Sequence, residues 1–300
     1  MTPVWRSLQY VPAHVEKYVL SPHIAAADAV ILDLEDSVPV DRKAIARAGL
    51  EKAIATVGRA GADVLVRIND GAMAALDIAA AVRPGVAALV IPKVREAARL
   101  TQLDRLVSDA ETAAGMAPGS VRFVVLIETA DGFLNMLSIA KASPRNIAIS
   151  LGNEDFARDL GMEISDETLL MPRQQLVIVA TAAGIIPLGL VGAATRFDDP
   201  EAYRALAFKS RRFGFVGSSC IHPSQIAILN ETFSPTAEQV LHARRIVEAA
   251  SEADREGRGA FAIEGQMVDA PVVARAEALI RRFQAIETKN SLRTASKTDH

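Results

Sequence analysis

Three hundred residues, half of them hydrophobic, supply enough apolar side chain for one large core, and the net charge is only −3. No block of Lys and Arg stands out, so a phosphate backbone is not an expected partner and nucleic-acid binding is excluded as a working hypothesis. Cys220 is the single cysteine, which rules out an internal disulfide and a cysteine cluster for zinc, and fits buried packing in a reducing, cytoplasmic setting.

The first residues, MTPVWRSLQYVPA, lack the basic-then-apolar layout of a signal peptide. No apolar run approaches the ~18 residues a membrane span needs, so no membrane partner is expected. From there short apolar runs alternate with longer helical patterns. Strands are predicted at 7–13 (SLQYVPA), 29–36 (AVILDLED), 63–69 (DVLVRIN) and 87–93 (AALVIPK), then at 122–129 (RFVVLIET), 146–152 (NIAISLG), 187–192 (PLGLVG) and 215–223 (FVGSSCIHP). Between them, apolar positions at i, i+3 and i+4 predict helices over Arg42–Thr56, Ala72–Val82, Glu96–Ala114, Gly132–Ala142, Pro172–Ala183 and Glu201–Arg212.

Eight strands, each followed by a helical stretch, is the count of a closed parallel (β/α)8 TIM barrel. An open doubly wound sheet gives the same alternation, but no GxGxxG or P-loop signature follows any strand. After Gln225 two charged helical stretches, near 236–255 and 271–285, flank a glycine-rich segment, EGRGAFAIEGQMVDAP, that reads as a loop. The expected organisation is a barrel over 1–230, a C-terminal helical lid or oligomerisation segment over 231–286, and a flexible polar tail over 287–300.

The working face of such a barrel is built from the C-terminal ends of its strands. Here those ends read DLED (33–36), RIN (67–69), PK (92–93), IET (127–129), GNEDF (152–156) and IHP (221–223). Glu128 and Asp155 lie about one ~30-residue β/α repeat apart, which would place two carboxylates on adjacent strands at one level. Two carboxylates plus water and substrate oxygens is the coordination style of magnesium, whereas either acid alone is as readily a helix cap. The fork of Arg67 matches a carboxylate, either of a substrate or of the DLED acids. Asp33, Glu35 and Asp36 are too many acids for all to touch one ion, so some are expected to orient Arg67 or ion-bound waters. His222, in IHP, reads as a structural histidine rather than a base.

Taken in order, these segments resemble the citrate lyase beta-subunit-like branch of the HpcH/HpaI aldolase superfamily. RSLQYVPA is similar to its opening strand, and ILDLEDSVPVDRKAIAR to its next stretch, with Lys43 and Arg47 in matching places. VRIND, VIPKV, LIETADG, SLGNEDFARDLG, GFVGSSCIHPSQI and GAFAIEGQMVDAPVVARAEALI follow, so that the similarity spans roughly residues 5–285. The resemblance implies a Mg2+-dependent lyase of β-hydroxyacyl-CoA thioesters such as citryl-, malyl- or citramalyl-CoA. It implies metal ligation by Glu128 and Asp155, catalytic or substrate contacts by Arg67, Glu35, Asp36, Arg6 and Lys43, and oxoacid and acyl-CoA as small-molecule partners. It also implies a homotrimer or hexamer in which Asp269 reaches a neighbouring site. Three positions depart from the pattern: Ser218 stands where lysine is usual, and Val191 and Ala194 where Asp and Tyr are usual. Those departures leave the pocket walls, and with them the thioester, open. Three other readings remain: an oxoacid aldolase without CoA, an acyl-CoA thioesterase, and a non-catalytic subunit of a larger lyase.

Overall fold

The computed structural model describes residues 3–59, 61–192, 198–255, 261–263 and 266–298. The chain forms two compact units, Met1–Phe233 and Ser234–His300.

In the first unit eight strands run parallel: β1 (Ser7–Pro12), β2 (Ala29–Asp33), β3 (Asp63–Arg67), β4 (Val86–Ile91), β5 (Arg122–Ile127), β6 (Asn146–Leu151), β7 (Ile186–Leu188) and β8 (Ser218–Cys220). They pair in the order β7-β6-β5-β4-β3-β2-β1-β8, and a parallel bridge between Leu188 and Gly217 joins the two ends. The result is a (β/α)8 TIM barrel. Closure at β1 and β8 depends on Gly217, because a Cβ there would meet the Trp5 carbonyl at 1.8 Å. The strands are ringed by α1 (Glu16–Val19), α2 (Lys43–Gly58), α3 (Ala74–Ala81), α4 (Ala97–Ala113), α5 (Ala130–Leu134), α6 (Met136–Ala140), α7 (Asn153–Leu160), α8 (Asp166–Ala183), α9 (Pro200–Arg212) and α10 (Ser224–Thr232).

The period of two along each strand sorts the side chains into two cores. Leu8, Ala29, Ile31, Leu65, Val90, Val124, Leu126 and Ala148 point inward and fill the barrel. Their neighbours Val30, Leu32, Val64, Val66, Leu89, Val125 and Ile127 point outward and pack under the helices. Both faces are buried, which is why the strands read as continuous apolar runs rather than alternating ones. The same period carries the inward face upward: two residues beyond Leu8, Ile31, Leu65 and Leu126 stand Tyr10, Asp33, Arg67 and Glu128.

The helices differ from expectation between β6 and β7. A helix was expected to begin at Pro172, but α8 begins six residues earlier, where Ser165 and Thr168 form a capping box, and Pro172 lies inside it. The local cap outweighs the missing proline N–H. The short α7, ended by Gly161 in the left-handed region, was not predicted, nor was α10. The stretch 132–142 divides at Asn135 into α5 and α6.

The second unit consists of α11 (Ala237–Arg255), β9 (Phe261–Ile263), β10 (Gln266–Val268) and α12 (Ala270–Thr298). The segment read as a loop contains an antiparallel hairpin, β9–β10. Strands of three residues are too short to show alternation. Val268 joins Ala243, Ile246 and Ala276 in a small separate core. The tail expected to be flexible after 286 continues as helix to Thr298, since KNSLRTASK holds no Gly or Pro to stop it.

The N-terminal end of the barrel corrects one site expectation. Arg6 precedes β1, and its guanidinium donates to Asp28 through Nε at 2.7 Å and Nη2 at 2.8 Å, with both groups buried. A strand of six residues separates it from the opposite face by about 20 Å. Arg6 is therefore a structural ion pair and not a substrate contact. Arg6→Met should deprive the buried Asp28 of its guanidinium counter-charge and cost roughly 3–5 kcal/mol. Urea denaturation should show that loss, while ligand affinity of the remaining folded protein stays at the parent value.

Candidate active site

At the C-terminal end of the barrel a cavity of about 530 Å³ opens among Tyr10, Asp33, Arg67, Glu128 and Asp155. Asp33 and Arg67 are register partners on β2 and β3, so their side chains rise side by side. Arg67 donates Nε to Asp33 Oδ1 and Nη2 to Asp33 Oδ2, each at 2.7 Å. Its Nη1 lies 2.9 Å from Glu35 Oε2 and 3.2 Å from Asp36 Oδ2. The guanidinium stacks 4.9 Å over the Tyr10 ring. The fork expected to grip a substrate is thus largely committed to Asp33, and what remains toward other partners is the Nη1 edge.

The acids of DLED divide their work. Asp33 also accepts from the backbone N–H groups of Glu35 and Ser37, which folds the loop back over the strand end. Burial opposes its ionisation, but the hydrogen bonds and charge of Arg67 win and hold its carboxyl below the usual range. Glu35 is raised instead, because burial outweighs Arg67 and Lys93. Its Oε2, though close to Arg67, accepts no hydrogen bond. Asp36 is 54% exposed at the rim.

Lys43 does not reach the cavity. Its ammonium is buried under the DLED loop and donates to the carbonyls of Leu34 and Glu35, both at 2.9 Å, and to Asn69 Oδ1 at 2.5 Å. Asn69 in turn is held by Asp77, which also pairs with Arg47. The expected substrate contact is therefore a loop support. The turn at Ile221 and His222 is likewise structural: both backbone N–H groups donate to Gln225 Oε1, and His222 Nδ1 lies 2.7 Å from Ser224 Oγ.

Glu128, two residues beyond Leu126, is 3% exposed. Its Oε2 accepts the Lys93 backbone N–H at 2.6 Å, and Gly152 leaves room for it, since a Cβ there would lie 2.5 Å from Oε1. Burial, then the charges of Glu35 and Asp155, push its carboxyl up to about 7. Asp155 sits in the first turn of α7 on the same cavity, its side chain 17% exposed and bonded at 2.6 Å by the outlying Arg158. A buried carboxylate whose ionisation is resisted by two neighbouring acids is what a hard divalent cation relieves. Among the described residues no group of three or more Asp, Glu, His or Cys is set to enclose an ion. Two carboxylates on an open cavity fit magnesium, which keeps waters and takes substrate oxygens.

Several residues at the site were given no role in the sequence reading. Lys93 bonds Glu128 through its backbone and Glu35 Oε1 through Nζ at 2.6 Å. Tyr10 supports Arg67, and the buried Arg173 donates to Asn153 at the start of α7. The PK dipeptide at a strand end was the signal for Lys93. Nothing in the local pattern marks Arg173. The departures at Ser218 and Val191 fall outside the lining: Ser218 opens β8 at the level of Ser7, and Val191 is buried in the layer under the helices. Ala194 lies outside the described residues. Asp269 accepts from the Val272 N–H at 3.3 Å and so caps α12.

The sequence model of HpcH/HpaI aldolase/citrate lyase matches residues 6–223. Citrate lyase subunit beta of Leuconostoc mesenteroides subsp. cremoris is 34% identical over 284 residues, 93% of each chain. An L-malyl-CoA/beta-methylmalyl-CoA lyase of Cereibacter sphaeroides is 36% identical over 299 residues, 92% of each. Among solved structures, protein CitE of Mycobacterium tuberculosis in complex with magnesium, acetoacetate and coenzyme A is 31% identical with a TM-score of 0.72, covering 94% of this chain and 98% of that one.

The raised Glu128 carboxyl carries a stability consequence. A folded-state value above the ordinary one means that stability is lost as the pH climbs from about 4.5 through about 7. Glu128→Gln removes that ionisation and can still accept the Lys93 N–H. Metal-free Glu128→Gln should therefore exceed the parent in stability at pH 8, by an amount on the order of 3 kcal/mol. The gap should close near pH 5, as thermal melts across this range would show.

Proposed function

The chain belongs to the HpcH/HpaI aldolase/citrate lyase family, and from that premise we propose that it is a magnesium-dependent carbon–carbon lyase of β-hydroxyacyl-CoA thioesters. Citryl-, malyl- and citramalyl-CoA are the substrate types; the products of cleavage are an oxoacid and an acyl-CoA. The observation that carries the reading is Glu128 and Asp155 on one cavity beside a stacked, acid-braced Arg67.

Glu128 and Asp155 would hold the ion. When bound, magnesium supplies Lewis acidity at the oxoacid carbonyl, which lets the acyl-CoA enolate depart. Arg67 keeps Nε and Nη2 on Asp33 and can exchange the exposed Asp36 for a substrate carboxylate at Nη1, a charge-assisted contact of the same kind. Cleavage takes the proton from the β-hydroxyl, which becomes the oxoacid carbonyl, and leaves an electron pair on the α-carbon of the acyl-CoA, where a proton must be delivered. Asp269 would deliver it in cleavage and remove it in condensation, from a neighbouring subunit of a trimer or hexamer. No helix among the described residues is long and apolar enough to cross a membrane. The unpaired, buried Cys220 supports a cytoplasmic setting.

The relatives named as a beta subunit favour one competing reading, a chain that works only beside partner subunits. Assay of the purified chain with Mg2+ and free malyl-, citramalyl- and citryl-CoA separates the two: oxoacid release without partners supports the independent lyase.

Glu128→Gln combined with Asp155→Asn should abolish Mg2+ binding in calorimetry while circular dichroism stays native. Tight binding by that double variant would remove both residues from the ligand set. For Asp269, asparagine caps a helix about as well as aspartate, so Asp269→Asn should fold normally yet lose turnover. Mixing inactive Asp269→Asn with inactive Glu128→Gln chains should restore part of the activity once subunits exchange. No recovery despite proven exchange would mean that Asp269 serves its own barrel or none.

A further inference from the structure

We propose that Lys93 is a positioning residue with two separable tasks: its backbone aims Glu128 at the ion, and its ammonium fixes Glu35. The proposal rests on the reading of Glu128 and Asp155 as the ligands.

Lys93 is the non-glycine residue with positive φ among those described, at 53°. That conformation brings Cβ against the carbonyl and is disfavoured for any residue but glycine, Asn or Asp. It persists only where the surroundings over-determine it, and such positions collect at functional sites. Here the cause is visible. Pro92 locks its own φ and keeps Ile91 extended, so the change of direction after β4 falls on residue 93. The next two residues are pinned, Val94 by its N–H to the Leu126 carbonyl and Arg95 by its carbonyl to Asn135. In that turn the Lys93 N–H meets Glu128 Oε2 at 2.6 Å and fixes how the carboxylate faces the cavity.

Glycine would adopt this turn without strain. A lysine stands there because the side chain has its own work. Nζ meets Glu35 Oε1 at 2.6 Å and lies 3.6 Å from Asp36 Oδ1, while Arg67 Nη1 lies 2.9 Å from the other oxygen of Glu35. The backbone of Lys93 therefore ties the end of β4 to that of β5, and its side chain ties it to the DLED loop after β2. One residue sets the ion's ligand and also the acids that brace Arg67.

Three variants of the full chain divide these tasks, with Mg2+ and, at saturating Mg2+, oxaloacetate as calorimetric probes. Lys93→Gly keeps the turn and loses the ammonium; Mg2+ affinity should stay near the parent value while oxaloacetate binding weakens roughly 10–100-fold, the usual effect of removing an outer partner. Lys93→Val, which the left-handed region excludes, should lose Mg2+ affinity by a comparable factor. Lys93→Arg should restore oxaloacetate binding. Parental Mg2+ affinity in Lys93→Val, or its loss in Lys93→Gly, overturns the backbone task; parental oxaloacetate affinity in Lys93→Gly overturns the ammonium task. Amide exchange at residue 93 in the metal-free parent needs no variant to fold. Slow exchange there with no Mg2+ binding would sink the ligand reading and leave the backbone link to Glu128 standing. Fast exchange would overturn the link itself.

Discussion

Six carboxylates, Asp33, Glu35, Asp36, Glu128, Glu154 and Asp155, crowd one end of the barrel against Arg67, Lys93 and the exposed Arg158. Charges at such separations interact by several kcal/mol once water is partly excluded, so this imbalance governs the local structure. Asp33 lies where both oxygens can be matched by a planar fork, and it stays ionised. Arginine is required at 67 because one guanidinium serves Asp33 with two nitrogens and the DLED rim with a third, which an ammonium cannot do. Lys93 takes the second place, where a point charge between Glu35 and Asp36 suffices. Glu128 is left with a single backbone donor and two acidic neighbours, and its raised carboxyl records the deficit. The protein's own cations stop short of neutralising the cluster, and a divalent ion at Glu128 and Asp155 is the natural complement.

That arrangement follows from the strand period as much as from the charges. Inward positions are apolar up to Leu8, Ile31, Leu65 and Leu126, and then polar for one further step on four strands. A packed interior beneath gives the polar layer a dry, rigid floor, which strengthens every ion pair above it. The loop that carries Glu35 and Asp36 gains its rigidity from below as well, through Lys43, Asn69 and Asp77. Distant sequence segments thus converge because each continues an inward-facing register.

Much of this was legible in the sequence. The eight strands fall within a few residues of their apolar runs, since burial on both faces leaves an unmistakable signature. Glu128, Asp155 and the DLED acids were found by position, as polar residues just past those runs. What was misread has a common cause: a charged residue near a strand does not reveal its partners. Arg6 and Lys43 were assigned to substrate, yet their charges are spent on Asp28 and on loop carbonyls. Arg67 was placed correctly, but its fork is occupied. Lys93 was noted at a strand end but given no role, because a left-handed lysine looks like any other lysine in one dimension. The β9–β10 hairpin was hidden by its three-residue strands, and α8 by a proline that a strong cap overrode.

The part of the cavity wall supplied by β8 bears on which chemistry the cavity can perform. It includes Cys220 from the end of β8, the thiol that an acyl-cysteine route would require. Burial pushes that thiol far above its usual range, and its sulfur reaches Gln9 Oε1 at 3.4 Å rather than any base or cation. Reactive cysteines need the opposite surroundings, electropositive and partly exposed, to hold a thiolate. Cys220 is thus inert packing, and a covalent acyl-cysteine route to thioester hydrolysis has no support from this wall. The charged side of the cavity can polarise and orient an oxoacid, whereas this side offers the thioester sulfur no attack by its cysteine.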